Sequence, residues 1–265
     1  MESIKHKFIE TKFNEEFQTH NGVLDKTPYK PEVMIIGTFN PNTPNSNFAD
    51  FFYGRNYFWP ALKNLSENKI AYFKSRMPKR GIIKEPLNPT IDEIFIVCKK
   101  FKLTFADLIL EVLHNVNREY QILRNDNVCF NGKTYNLIQD GKKEEVEGLE
   151  QLDKINQVNW NTNNIIKYLE INPQINTIYF TRQPTKVWKK YWLSIVNNQR
   201  LQGRIFTNIF TPSCQGVPVS YSIERLISHW LYNENDKFGR LDHDWLKASG
   251  VKTENFKVVN LNTIK

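Results

Sequence analysis

Cysteine is scarce in this chain of 265 residues: Cys98, Cys129 and Cys214 are odd in number and widely separated. They supply neither a disulfide framework nor the close ligand pairs of a zinc or iron–sulfur site, so chemistry without metal or cofactor is expected. Long apolar runs are also missing. No stretch approaches the roughly 18 consecutive apolar residues of a membrane span, and the segment bearing Glu2, Lys5, Lys7, Glu10 and Lys12 lacks a signal-peptide apolar region. The expectation is a soluble, cytoplasmic protein with no membrane partner. There is no internal repeat and no low-complexity linker, which predicts a single domain over 1–265 with an insertion around 115–155. Acidic residues are the minority charge, 28 against 36 basic, for a net +8. That balance favours a phosphate backbone as partner without establishing one.

Hydrophobic residues make up 40% of the chain, enough for a sizeable core, and their spacing alternates between two periods. Pro31 to Gly37 carries a continuous apolar run closed by glycine, the pattern of a strand buried on both faces. Phe58, Trp59, Leu62 and Leu65 then recur at helical spacing, with Pro60 in the first turn. Residues 91 to 98 fit a helix or a strand equally well. Phe105 to Leu113 reads as a helix or a strand-to-helix passage, and Val128 to Tyr135 as a hairpin turning on Asn-Gly. The later chain gives a helix over 161–171, a strand over 177–181, a helix over 184–196, a strand over 204–210 and a helix from about 220 to 232. Alternation of this kind predicts a three-layer α/β/α sandwich on a mostly parallel sheet. In such a sheet the loops after Gly37 and after Phe210 both leave carboxyl ends of strands, where sites form.

Those two loops carry the motifs. Gly37-Thr-Phe-Asn-Pro41, followed by Phe52-Tyr-Gly-Arg-Asn-Tyr-Phe-Trp59, resembles the first motif region of the uracil-DNA glycosylase superfamily, particularly its hypoxanthine-DNA and mismatch-specific branches. Thr211-Pro-Ser-Cys-Gln-Gly216 resembles the second motif, a Pro-Ser loop after the last core strand, and Ile178 to Thr181 resembles the strand before it. The similarity spans about 31–65 and 161–230. It leaves 1–30, 66–160 and 231–265 uncovered. It implies a central four-stranded sheet and a monomeric DNA glycosylase without cofactor, acting on uracil, hypoxanthine, xanthine or a bulkier modified base. Neither motif contains a lysine to serve as a Schiff-base nucleophile, which points to the monofunctional reaction.

Such an enzyme must extrude a base from the duplex, stack it, and break its glycosidic bond. Positive charge then grows on the sugar and negative charge on the leaving base, so a neutral amide that positions water is sufficient machinery. The resemblance implies Asn56 as catalytic, matching the hypoxanthine-type branch. It also implies Asn40, which matches the Asn before Pro of the mismatch-specific branch but lies one residue later. Phe39, Phe52 and Tyr53 are the candidates for stacking the base. Ser213, Arg55, Arg182 and Lys186 are the candidates for phosphate contacts, and Cys214 and Gln215 for filling the gap left by the flipped base.

Each assignment has an ordinary counterpart. Asn40 also fits a turn residue beside Pro41, Asn56 a helix cap, the aromatic run over 51–59 core packing, and Thr211-Pro-Ser an exit turn. Lys186, Lys189 and Lys190 fit a solvated helix face, and His243, between Asp242 and Asp244, an exposed terminal turn. Two other functions stay open: a catalytically silent nucleic-acid-binding module of the same fold, and an α/β hydrolase of small nucleotides.

Overall fold

A computed structural model describes residues 3–42, 49–53, 57–69, 89–113, 149–154, 156–210, 223–233 and 237–256. Its centre is a run of four parallel strands, three of them buried along their whole length. Strand β5 (Val33–Gly37) is buried along its whole length and pairs in parallel with β6 (Leu103–Asp107) on one side and β9 (Thr177–Phe180) on the other. Beyond β9 lies β10 (Ile205–Asn208), also parallel.

The sheet does not stop at four strands. The N-terminal residues add β4 (Val23–Lys26), β3 (Gln18–His20) and β2 (Thr11–Lys12), all antiparallel, so the sheet is mixed and seven-stranded in the order β10-β9-β5-β6-β4-β3-β2. A second, smaller sheet joins β1 (Ile4–Lys5), β7 (Ile109–Val112) and β8 (Val158–Trp160). Phe105 to Leu113 is therefore not a helix or a passage into one. It is β6 and β7 with a break at Leu108. Local periodicity cannot separate a doubly buried strand from a buried helix, and the pairing of Leu103–Asp107 with Val33–Gly37 decides it.

Side-chain alternation on the central strands divides the core in two. Val33 and Ile35 join Leu103, Phe105 and Tyr179 on one face, beneath α1 (Phe58–Glu67), α2 (Ile91–Phe101) and α6 (Ile223–Tyr232). Met34 and Ile36 join Ala106, Ile178 and Phe180 on the other. That face is covered by α3 (Leu149–Lys154), α4 (Thr162–Ile171) and α5 (Lys186–Val196). Helices on both faces make three layers. The segment 91–98 is helical because Thr90 and Glu93 form a reciprocal capping box, acidic residues occupy the first turn and lysines the last, and Ile94, Val97, Cys98 and Phe101 share the buried side. A final helix, α7 (His243–Ala248), follows. No described helix is long and apolar enough to cross a membrane. The hairpin expected over 128–135 lies outside the described residues.

Among the parallel strands the spatial order is second, first, third, fourth in chain order. The chain thus reverses direction across the sheet between β5 and β9, and the crevice outside their carboxyl ends is the position where open α/β sheets place their ligands.

Candidate functional site

The carboxyl ends of β5, β6 and β9 bring together Gly37, Asp107 and Thr181. Asp107 ends β6 and is 1% exposed. A buried carboxylate is costly unless it is hydrogen-bonded, and here two donors meet one oxygen. His6 Nε2 lies 2.8 Å from Oδ2, and the Asn40 amide donates to the same Oδ2 at 2.6 Å. The second oxygen, Oδ1, occupies the space above Gly37: a Cβ on residue 37 would stand 2.1 Å from Oδ1 and 3.2 Å from the Tyr53 hydroxyl. Glycine at 37 is thus required by the close approach of a neighbouring strand's carboxylate. Gly37→Ala is expected to force Asp107 aside and to lower stability by about 1–3 kcal/mol, the usual range for overpacking a filled site, measurable by urea denaturation.

His6 reaches Asp107 because the N-terminal segment is clamped between β7 and the loop after β5. His6 N–H donates to Leu110 O at 2.6 Å, Lys7 N–H to Asn40 O at 2.7 Å, and Asn42 N–H to Lys5 O at 2.8 Å. The tautomer follows from the bonds. Phe8 N–H donates to Nδ1 at 3.0 Å, so Nδ1 is the acceptor nitrogen and Nε2 carries the proton given to Asp107. The rings of Phe8, Phe39 and Phe52 stand 5.7–6.2 Å from the imidazole, which places this polar contact in an apolar box.

Asn40 is half-buried in the loop that leaves β5. Its amide orientation is set by its partner, since the reverse orientation would face carbonyl oxygen to carboxylate oxygen. Among the described residues, Oδ1 of Asn40 has no hydrogen bond. On the other side of Gly37, the Thr181 hydroxyl donates to Ile36 O at 3.1 Å and so accepts from the Tyr53 hydroxyl at 3.0 Å. Burial, and then the charge of Asp107, push the Tyr53 phenol well above its ordinary pKa. Tyr53 stays a neutral phenol.

The three aromatic candidates separate. Phe39 is half-buried beside His6 and Asn40. Phe52 is 0% exposed, wedged against Phe8 and Phe105, and its carbonyl accepts from the Trp59 indole at 2.6 Å. It is core, with no face left for a base, because the apolar run it belongs to folds inward beneath α1. Tyr53 has a backbone φ of 67° and lies stacked on Phe58 at 4.0 Å with its hydroxyl committed to Thr181.

Arg182 follows Thr181 and is half-buried, its guanidinium 5.1 Å from the Trp188 ring. Burial draws its pKa down to about 10, which still leaves it cationic at neutral pH. Lys186 is exposed at the start of α5. His243 does not sit on an exposed turn: it opens α7 half-buried, its Nε2 2.8 Å from Leu231 O, while Asp242 caps the helix through Trp245 N–H at 2.8 Å. Packing of α7 against the end of α6, through Leu231 and Tyr232, covers part of its ring.

Asn56, Arg55, Ser213, Cys214 and Gln215 lie outside the described residues. Phe58, just after the first of these segments, packs on Trp230 of α6 at 5.5 Å, and the Trp230 indole donates to the carbonyl of Phe210, just before the second, at 2.8 Å.

Asp107, His6 and Thr181 were missed in the sequence. Asp107 carried a usable signal, a carboxylate at the middle of the apolar run Leu103 to Leu110. His6 carried none, because its role depends on a contact 101 positions away. Comparison with protein-family models, with curated proteins and with solved structures finds no match for this chain.

Proposed function

We propose that this chain is a monofunctional DNA glycosylase of the uracil-DNA glycosylase type, which flips a deaminated or modified base from DNA and hydrolyses its glycosidic bond. The observation that carries the reading is the Asn40 amide, fixed on a buried carboxylate at the carboxyl end of the parallel strands, with the Phe39 ring beside it.

In this reading Asn40 Oδ1 accepts a hydrogen bond from a water molecule and turns its lone pair toward C1′ of the flipped nucleotide. The C1′–N bond breaks with its electron pair leaving on the base, the water oxygen bonds to C1′, and the water's proton ends on the base. The products are a free base and an abasic site. The negative charge of Asp107 behind Asn40 favours the cationic sugar of the transition state. Phe39 offers a stacking face, and Arg182 and Lys186 approach the backbone phosphates. The net charge of +8 suits a DNA partner.

The test is direct. Purified protein is incubated with oligonucleotides carrying one uracil, hypoxanthine, xanthine or hypermodified base, and abasic sites are then cleaved with alkali. Strand cleavage at one of these bases is expected. Salt-sensitive DNA binding without release of any base would favour the silent module. Base release from free nucleosides without DNA affinity would favour the small-molecule hydrolase.

A further inference from the structure

The amide of Asn40 is held through a chain of three side chains drawn from three distant parts of the sequence: His6 from the N-terminal segment, Asp107 from the end of β6, and Asn40 from the loop after β5. We propose that His6 and Asp107 are positioning residues for Asn40, forming a relay anchored at the Phe8 backbone amide that fixes the direction in which Oδ1 of Asn40 points. The inference rests on the proposed role of Asn40, but its geometry stands independently of the reaction.

The relay is directional at every link. Phe8 N–H donates to Nδ1 of His6 at 3.0 Å, which leaves Nε2–H as the donor to Asp107 Oδ2 at 2.8 Å. The same oxygen accepts from Asn40 Nδ2 at 2.6 Å. A carboxyl group is free to rotate about its Cβ–Cγ bond, and two constraints stop it here. His6 holds Oδ2, and Oδ1 fills the space left open by the bare α-carbon of Gly37. With the carboxylate plane fixed, the amide has a single favourable orientation. His6 has both ring nitrogens occupied and is 3% exposed, so it acts through Asp107 and does not itself reach a substrate. The N-terminal strand segment is on this account an active-site element, which explains why the chain secures it to both β7 and the loop after β5.

Two polar substitutions separate the links of His6. His6→Gln retains a donor near the position of Nε2 and keeps the bond to Asp107. His6→Asn retains an acceptor near the position of Nδ1, keeps the tie to Phe8, and falls short of Asp107. The readouts are the single-turnover rate of base release, the Kd for DNA, and the side-chain amide cross-peak of Asn40 in a ¹⁵N–¹H spectrum, identified by its loss in Asn40→Ala. In His6→Asn the rate is expected to fall by roughly 10- to 100-fold, the scale of a small misplacement of a reacting group. Kd should remain unchanged and the cross-peak should move. In His6→Gln the rate and the cross-peak should return toward wild type. A cross-peak that stays put in His6→Asn would overturn the relay, as would His6→Gln behaving no better than His6→Asn. If the wild-type protein releases no base, the glycosylase reading fails, and the cross-peak comparison still decides the relay.

Discussion

Asn40→Ala is expected to slow base release by about 100- to 1000-fold, the range seen when one preorganised polar group at a reacting centre is removed, with DNA affinity nearly unchanged. The separation follows from the site. Asn40 is neutral and half-buried and takes part in no phosphate contact proposed here, so its loss should spare binding. Its amide oxygen is the group with which the proposed reaction places water, so its loss should appear in the chemical step. Single-turnover kinetics with the best oligonucleotide, beside fluorescence anisotropy on the same DNA, measure the two quantities. Asn40→Asp is not expected to rescue the rate, because it would set a second carboxylate 2.6 Å from Asp107 Oδ2, where two like charges resist joint ionisation. Full activity in Asn40→Ala would remove Asn40 from the mechanism.

Stability is expected to fall between pH 6.5 and pH 4 because of His229. This residue lies on α6, 1% exposed, with its ring 4.3 Å from that of Phe210. Burial, and then the charge of Arg225, draw its pKa from 6.5 down to about 4, with Asn233 opposing weakly. The sign follows from proton counting. Between these values the unfolded chain binds a proton at residue 229 and the folded chain does not, so stability rises with pH across this window and is lost as pH falls. The full difference is worth at most about 3 kcal/mol. Urea unfolding of wild type and His229→Leu at pH 7.5 and pH 4.5 isolates it. The variant should lose less stability on acidification than wild type, the carboxylates contributing equally to both. Identical losses would show that His229 is readily protonated in the folded state.

The two predictions depend on residues of different legibility. Asn40 was visible from its motif neighbours, Gly37 and Pro41, as a candidate in a loop at a strand end. That it binds Asp107 was not visible, because the partner lies 67 positions away and the contact exists only once β6 lies beside β5. Phe52 shows the converse: an aromatic segment next to a candidate site reads the same whether its rings face a base or the core, and burial beneath α1 decides for the core.

The sequence alone determined the elements whose local signals are strong. The glycine-ended apolar run became β5, the helical spacing after it α1, and the alternation of strand and helix in the second half a sheet covered on both faces, because periodicity and turn residues act over a few positions. Tertiary structure alone decided that Phe105 to Leu113 runs as strand rather than helix, how far the sheet extends beyond its parallel strands, and which side chains meet at the carboxyl ends. These depend on pairing between segments distant in the chain, a property of the packed molecule that no local window of sequence contains.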